Sequence, residues 1–250
     1  MKVMLCEKAT VEYAETLEEG WVAERKYDGV RAYIENGRLY DRREKDITEK
    51  FPEFVGLAEL NVFIIDGEIV SQSGEFNDIS GRVHLKDKFF IQLSAKKSPA
   101  IFMAFDIVAA GKQLWERKEV LSKLDVPAWM QKAEGGGFAE LWEQVQQNGW
   151  EGVVLKRTAA QYQEGKRSAD CLKIKAFVET TAVFTKLEQH NKGCRLETAD
   201  GHSVNVNGAQ ASEVLRIFGK DGKVTCEVQY LPQNNSGAWR FPSFRKCIFG

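Results

Sequence analysis

A lysine followed two positions on by aspartate and glycine is the first group of residues in this chain that could do chemistry. It lies in Glu24-Arg25-Lys26-Tyr27-Asp28-Gly29-Val30-Arg31, where strand-forming residues give way to a turn. An amine at a strand end can face a cleft, and a glycine lets another backbone come close. Taken alone, the segment reads first as a solvated charged hairpin. A second group, Asp66-Gly67-Glu68, interrupts the apolar run from Phe63 to Val70. Buried charge is costly unless cations or a metal offset it. Ile69-Val70 continue the run beyond Glu68, so a functional carboxylate and a turn at a strand end stand level. Phe105, before Asp106, reads first as core, with stacking on a planar base as the other use of its ring. Glu151 opens the run Gly152 to Arg157. In Leu172-Lys173-Ile174-Lys175, strand alternation puts both lysines on one face, with Leu172 and Ile174 facing a core. Adjacent ammonium groups repel unless an anion sits between them, and phosphate is the natural anion. The plain use of such lysines is to protect an exposed sheet edge.

These groups need elements to hold them. Trp21 to Lys26, Val30 to Glu35 and Arg38 to Arg42 read as strands, the last two joined by Asn36-Gly37, which tolerates the positive φ of a type I′ turn. Thr48 is a predicted helix N-cap, with Phe51, Phe54, Val55 and Leu57 as the apolar face behind it. Val62 to Val70 reads as a strand. Leu85 to Lys97 reads as a helix turning Phe89, Phe90 and Leu93 inward. Ala100 to Val108 is apolar almost throughout, as in a strand buried on both faces. A helix over Phe138 to Gln147, stopped by Gly149, precedes strands at Gly152 to Arg157 and Cys171 to Ala176. After residue 176 the texture changes to short strands at Thr181 to Glu188, Gly193 to Thr198, Ser203 to Val206 and Val224 to Leu231. Asp200-Gly201 is a turn, Gln210 to Phe218 a helix, and a last segment starts at Trp239. This pattern suggests a small β-barrel.

Composition narrows the classes. In 250 residues, 35 Lys and Arg stand against 36 Asp and Glu, with 43% hydrophobic residues. This excludes a disordered or collagen-like chain. No apolar run approaches the roughly 18 residues of a membrane span, and the first residues turn acidic too soon for a signal peptide. The five cysteines are scattered and form no CxxC. A disulfide framework or zinc site is not expected, and a cytoplasmic location is. Nucleic-acid binding would need a local basic patch. Residues 177–250 carry nine Lys and Arg against seven Asp and Glu.

Taken in order, Lys26-x-Asp28-Gly29-x-Arg31, Asp66-Gly67-Glu68, Phe105-Asp106, Glu151-Gly152-Val153 and Leu172-Lys173-Ile174-Lys175 resemble the motifs of the covalent nucleotidyltransferase superfamily, most closely an ATP-dependent DNA ligase of minimal two-domain type. Asp41-Arg42-Arg43-Glu44 is similar to the motif after the nucleophile, with Asp41 and Glu44 where small residues are usual. The resemblance implies an α+β fold. An ATP-grasp-like ligase (nucleotidyltransferase) domain with antiparallel sheets and flanking helices would span 1–176, and a small all-β OB-fold barrel 177–250.

It also implies roles. Lys26 is the nucleophile that forms a lysyl-AMP, its amine made neutral by Lys173, Lys175, Arg31 and partial burial. Lys173 and Lys175 offset phosphate charge, Glu68 and Glu151 lie near ribose and Mg²⁺ (with Mn²⁺ as substitute), and Phe105 stacks on adenine. Backbone around Glu24 and Arg25 reads the adenine edge. Arg42 holds a nick 5′-phosphate and Asp28 acts at the 3′-hydroxyl end. Arg240, Arg245 and Lys246 near the end resemble the first half of a last motif. The chain then stops without its acidic-basic pair, and Arg245 and Lys246 are expected to substitute in part. The partner implied is nicked duplex DNA, bound by a monomer with modest, salt-sensitive affinity. An mRNA capping guanylyltransferase shares two motifs, but usually carries Asp at position 151 and Trp at position 174. An RNA ligase and a catalytically silent nucleic-acid-binding relative are the remaining alternatives.

Overall fold

The structure, a computed structural model, describes residues 1–231 and 239–248. The chain forms two compact units, Met1–Ile174 and Lys175–Gly250.

In the first unit the elements are β1 (Leu5–Lys8), α1 (Val11–Glu15), β2 (Trp21–Arg25), β3 (Val30–Glu35), β4 (Arg38–Asp41), β5 (Ile64–Ser71), α2 (Phe76–Arg82), α3 (Lys88–Lys97), β6 (Ala100–Val108), α4 (Leu114–Lys123), β7 (Met130–Lys132), β8 (Gly135–Gly136), α5 (Phe138–Asn148), β9 (Gly152–Arg157) and β10 (Arg167–Lys175). Two five-stranded sheets result, ordered β1-β10-β9-β2-β8 and β4-β3-β5-β6-β7. They are mixed rather than wholly antiparallel, because β1 runs parallel to β10 and β7 parallel to β6. The main core lies on the second sheet, where Ile34, Ile65, Ile69, Phe102 and Ile107 are fully or almost fully buried.

The β3–β4 turn has Asn36 at φ 50° and Gly37 at φ 69°, the left-handed pair a type I′ turn requires. Gly149, at φ 62°, ends α5. Three local expectations fail. Thr48 starts only a 3₁₀ turn, Thr48–Lys50, because its hydroxyl accepts the Leu39 N–H at 2.9 Å and is drawn to β4. Phe51, Phe54 and Leu57 are buried as expected, but Val55 is exposed. In α3 the inward stripe is Ile91 and Ala95, and Phe89, Phe90 and Leu93 point outward. Helix α4, not foreseen, is begun by a capping box in which Gln113 and Glu116 each satisfy the other's backbone.

The second unit holds β11 (Val178–His190), β12 (Gly193–Thr198), β13 (Ser203–Asn207), α6 (Gly208–Asp221), β14 (Val224–Leu231) and β15 (Arg240–Cys247). The sheet order is β13-β12-β11-β14-β15, antiparallel at every pair. Its two edge strands lie against one another, which curls the sheet toward a barrel. Phe184, Leu196, Val206, Val214 and Val228 fill the interior. No helix among the described residues is long and apolar enough to cross a membrane.

Candidate active site

The first unit contains a cavity of about 280 Å³ lined by residues of both its sheets, from β1, β2, β3, β5, β6, β9 and β10. Lys26 follows the last residue of β2, and its backbone N–H donates to Gly152 O at 2.8 Å. Its Nζ lies 2.5 Å from Glu151 Oε2, whose side chain is 5% exposed. The nearest partner of the amine is thus a carboxylate, not the ring of cations expected. Arg31 is committed elsewhere. It donates through Nε (2.7 Å) and Nη2 (2.6 Å) to fully buried Asp66, a bidentate pair. The Tyr162 hydroxyl donates to the same carboxylate at 2.6 Å. Burial, then the charge of Asp66, raises the Tyr162 pKa and keeps that proton in place. Asp66 is therefore an anchor that orients Arg31.

Glu68 stands two residues on along β5, directly across from Arg31. Burial pushes its carboxyl up to about 7. Arg31 and Lys26 pull the other way, and Glu151 and Asp66 add to the rise. Two glycines make this packing possible. A Cβ on Gly29 would meet Ile69 O at 2.1 Å, and one on Gly67 would meet the Phe102 ring at 2.5 Å.

Phe105 owes its position to a bulge. Asp66 pairs with Asp106, but Gly67 pairs with Ala104, so Phe105 is the extra residue of β6. Such a bulge re-aims a side chain, and Phe105 turns into the cavity. Arg31 Cζ lies 4.4 Å and Lys156 Nζ 4.5 Å from its ring centroid. Asp106 is buried and receives Nε (2.8 Å) and Nη2 (3.0 Å) of Arg117.

Of the residues singled out from sequence, Glu24, Arg25, Lys26, Arg31, Arg42, Glu68, Phe105 and Lys173 line the cavity, and Glu151 touches Lys26. Asp28 is not part of the lining. Neither is Lys175, which opens the second unit; its Nζ lies 4.5 Å from the Phe241 ring centroid. The Arg25 guanidinium stacks 4.0 Å over Trp150, and burial lowers its pKa. Arg245 lies 3.7 Å from Glu179 and Lys246 3.1 Å from Glu227, ion pairs within the second unit. Arg240 stands with its Cζ 5.3 Å from the Phe241 ring.

Sequence reasoning missed Tyr162, Lys156 and Arg167, all in the lining. Lys156 lies on a strand already found, and its pocket-facing alternation was available as a signal; Arg167 lies ahead of the strand expected at Cys171 to Ala176, at the start of the longer β10, and Tyr162 lies between strands with no periodic signal. It also missed a disulfide, Cys6–Cys171. β1 and β10 run side by side with these Cα atoms 4.5 Å apart, a proximity invisible across 165 residues of sequence.

Fold and cavity define a nucleotidyltransferase-like unit followed by a barrel. The model of the "ATP dependent DNA ligase domain" family matches residues 3–175, and the chain belongs to that family. The chain is 26% identical to a Bacillus subtilis protein described as SPbeta prophage-derived DNA ligase-like protein LigB, over 91% of this chain and 92% of that protein. It is 28% identical to a DNA ligase of Methanothrix thermoacetophila, over 72% of this chain, and spans about a third of that protein (36%). A solved Lig E DNA ligase shares the fold over 99% of both chains, with a TM-score of 0.77 and 20% identity.

Proposed function

We propose that this protein is an ATP-dependent DNA ligase that seals nicks in duplex DNA through a lysyl-AMP formed on Lys26. The observation that carries the reading is the meeting, in one cavity, of an amine, Phe105, the carboxylates of Glu24 and Glu68 and the cations Arg42, Arg167 and Lys173, with Glu151 against the amine. In the first step Lys26 Nζ bonds to the α-phosphorus of ATP while the bond to the β-phosphate oxygen breaks and pyrophosphate leaves. AMP then passes to the nick 5′-phosphate, releasing the lysine. Finally the 3′-hydroxyl oxygen attacks that phosphate, and AMP leaves with the bonding pair.

Only a neutral amine can attack. One ammonium proton must therefore pass to a base, Glu151 or water, and the lone pair must turn to phosphorus before the bond forms. Phe105 and Val154 flank the space for the base, Glu24 and the backbone beside it reach its edge, and Lys173 and Arg167 offset phosphate charge. Arg42 holds the nick 5′-phosphate and Asp28 serves the 3′-hydroxyl end. Arg240, Arg245, Lys246 and Lys175, carried by the second unit, contribute phosphate contacts.

The donor set suits a hard divalent cation. Glu68 in the cavity and Glu151 against Lys26 supply two carboxylates, and burial disfavours the charge of Glu68. No group of three or more His, Cys, Asp or Glu that could hold a metal occurs among the described residues, so phosphate oxygens and water would complete the shell. Bound there, Mg²⁺ would neutralise charge on the triphosphate.

The test is covalent labelling. Protein incubated with α-labelled ATP and Mg²⁺ should carry label on a denaturing gel, Lys26→Ala should carry none, and α-labelled GTP should give little. Added nicked DNA should discharge the label and be sealed. Labelling from GTP alone would point to a capping enzyme, and absence of label to a silent relative.

A further inference from the structure

Glu24 is held by two lysines where one would balance its charge. Its side chain is 2% exposed and lines the cavity, as does Lys26 two residues on, just past the end of β2. The β2–β9 register sets Val154 opposite Glu24 and Lys156 opposite Val22, so Glu24, Val154 and Lys156 share one sheet face. Lys156 Nζ donates to Glu24 Oε2 at 2.8 Å and to the Phe105 carbonyl at 3.1 Å. From behind, outside the cavity lining, Lys118 of α4 forms an ion pair with Glu24 Oε1. Helix α4 is itself fixed to the base-facing strand by the buried Arg117–Asp106 pair, one residue from Lys118 and one from Phe105. Burial, and then repulsion from Lys156, lowers the Lys118 pKa, so this second cation is kept at a cost.

We propose that Lys118 and Lys156 are positioning residues that fix the Glu24 carboxylate as a pure hydrogen-bond acceptor at the purine edge, and so set selection of adenine over 6-oxopurines. This rests on the proposal that the cavity binds ATP. The chemistry is direct. Adenine carries at C6 an amine, a donor, whereas hypoxanthine and guanine carry a carbonyl, an acceptor. A carboxylate locked by cations on both oxygens accepts from the amine and repels the carbonyl. A site built around a buried polar group rejects a mismatched partner strongly, because a desolvated acceptor is left facing another. With one lysine removed, the carboxylate is free to rotate away from the purine edge, and discrimination at C6 falls.

The experiment is single-turnover labelling of Lys26 in the full-length protein with ATP and with ITP, which differs from ATP only at C6 and the adjoining N1. Lys118→Met should lower the ATP-to-ITP ratio of kcat/KM by about tenfold or more, the worth of one buried hydrogen bond. The loss should fall mainly on KM for ATP, and Lys118→Arg should restore the ratio. Glu24→Gln, nearly isosteric, should move the ratio further toward ITP, because an amide donates to a carbonyl. This second variant keeps the test decisive if Lys118→Met does not fold. An unchanged ratio in Glu24→Gln, or equal losses for both nucleotides in Lys118→Met, would overturn the proposal. Absence of ATP labelling in the unaltered protein is a different result, and it would sink the ligase reading itself.

Discussion

Replacing Glu68 by glutamine should stabilise the ligand-free protein at pH 8 and leave it unchanged near pH 4. Glu68 faces Arg31, Lys26, Glu151 and Asp66, and burial outweighs the two cations, so its carboxyl is pushed up from the ordinary 4.5 to about 7. A carboxyl whose folded pKa lies above its unfolded one binds its proton more tightly when folded. The stability this lends is complete below about 4.5 and drains away as the pH climbs through about 7. The span of about 2.5 units corresponds to about 3 kcal/mol at most between those limits. For a protein of this size that is on the order of 5–10 °C in melting temperature. The assay is thermal unfolding of both proteins from pH 4 to 8.5 at fixed ionic strength, read as the difference between them, so that other carboxylates cancel. The glutamine variant should pull ahead progressively as the pH rises through 5 to 7. A difference that stays flat with pH, or one that favours the unaltered protein more at pH 8 than at pH 4, would refute the reasoning.

Two further outcomes concern the frame of the cavity. Arg117→Met leaves buried Asp106 without its bidentate partner and frees the carbonyls of Lys112 and Ala160. It should cost about 3–5 kcal/mol in urea unfolding, as breaking a buried pair does. Gly29→Ala sets a methyl 2.1 Å from a backbone oxygen that cannot yield cheaply; it should cost about 1–3 kcal/mol by the same measurement.

Strands were the legible part of the fold. Val30–Glu35, Ala100–Val108, Gly152–Arg157, Gly193–Thr198 and Val224–Leu231 occur with the limits their patterns indicate, because alternation or a continuous apolar run bounded by turn residues is a strong local signal. Helix faces were less legible. Phe89, Phe90 and Leu93 promised a buried face on α3, yet the core takes Ile91 and Ala95, since which stripe turns inward is settled by the neighbours α3 packs against. The candidate site divides the same way. Lys26, Glu68, Phe105, Glu151 and Lys173 were found as residue types in order along the chain. Tyr162, Arg167 and Lys118 carry no local pattern, and their partners lie 96 residues away for Tyr162 and Asp66, and 161 for Arg167 and Cys6.

The sequence alone determined that an amine, paired carboxylates, an aromatic ring and adjacent lysines follow one another on strand ends, because residue type and two-residue alternation are local properties. Tertiary structure decided what each one meets. It gave Lys26 a carboxylate as its partner, tied Arg31 to Asp66, turned Phe105 inward through a one-residue bulge and set two lysines on Glu24. Those outcomes depend on strand register and on contacts across 35 to 132 residues, which short-range pattern does not encode.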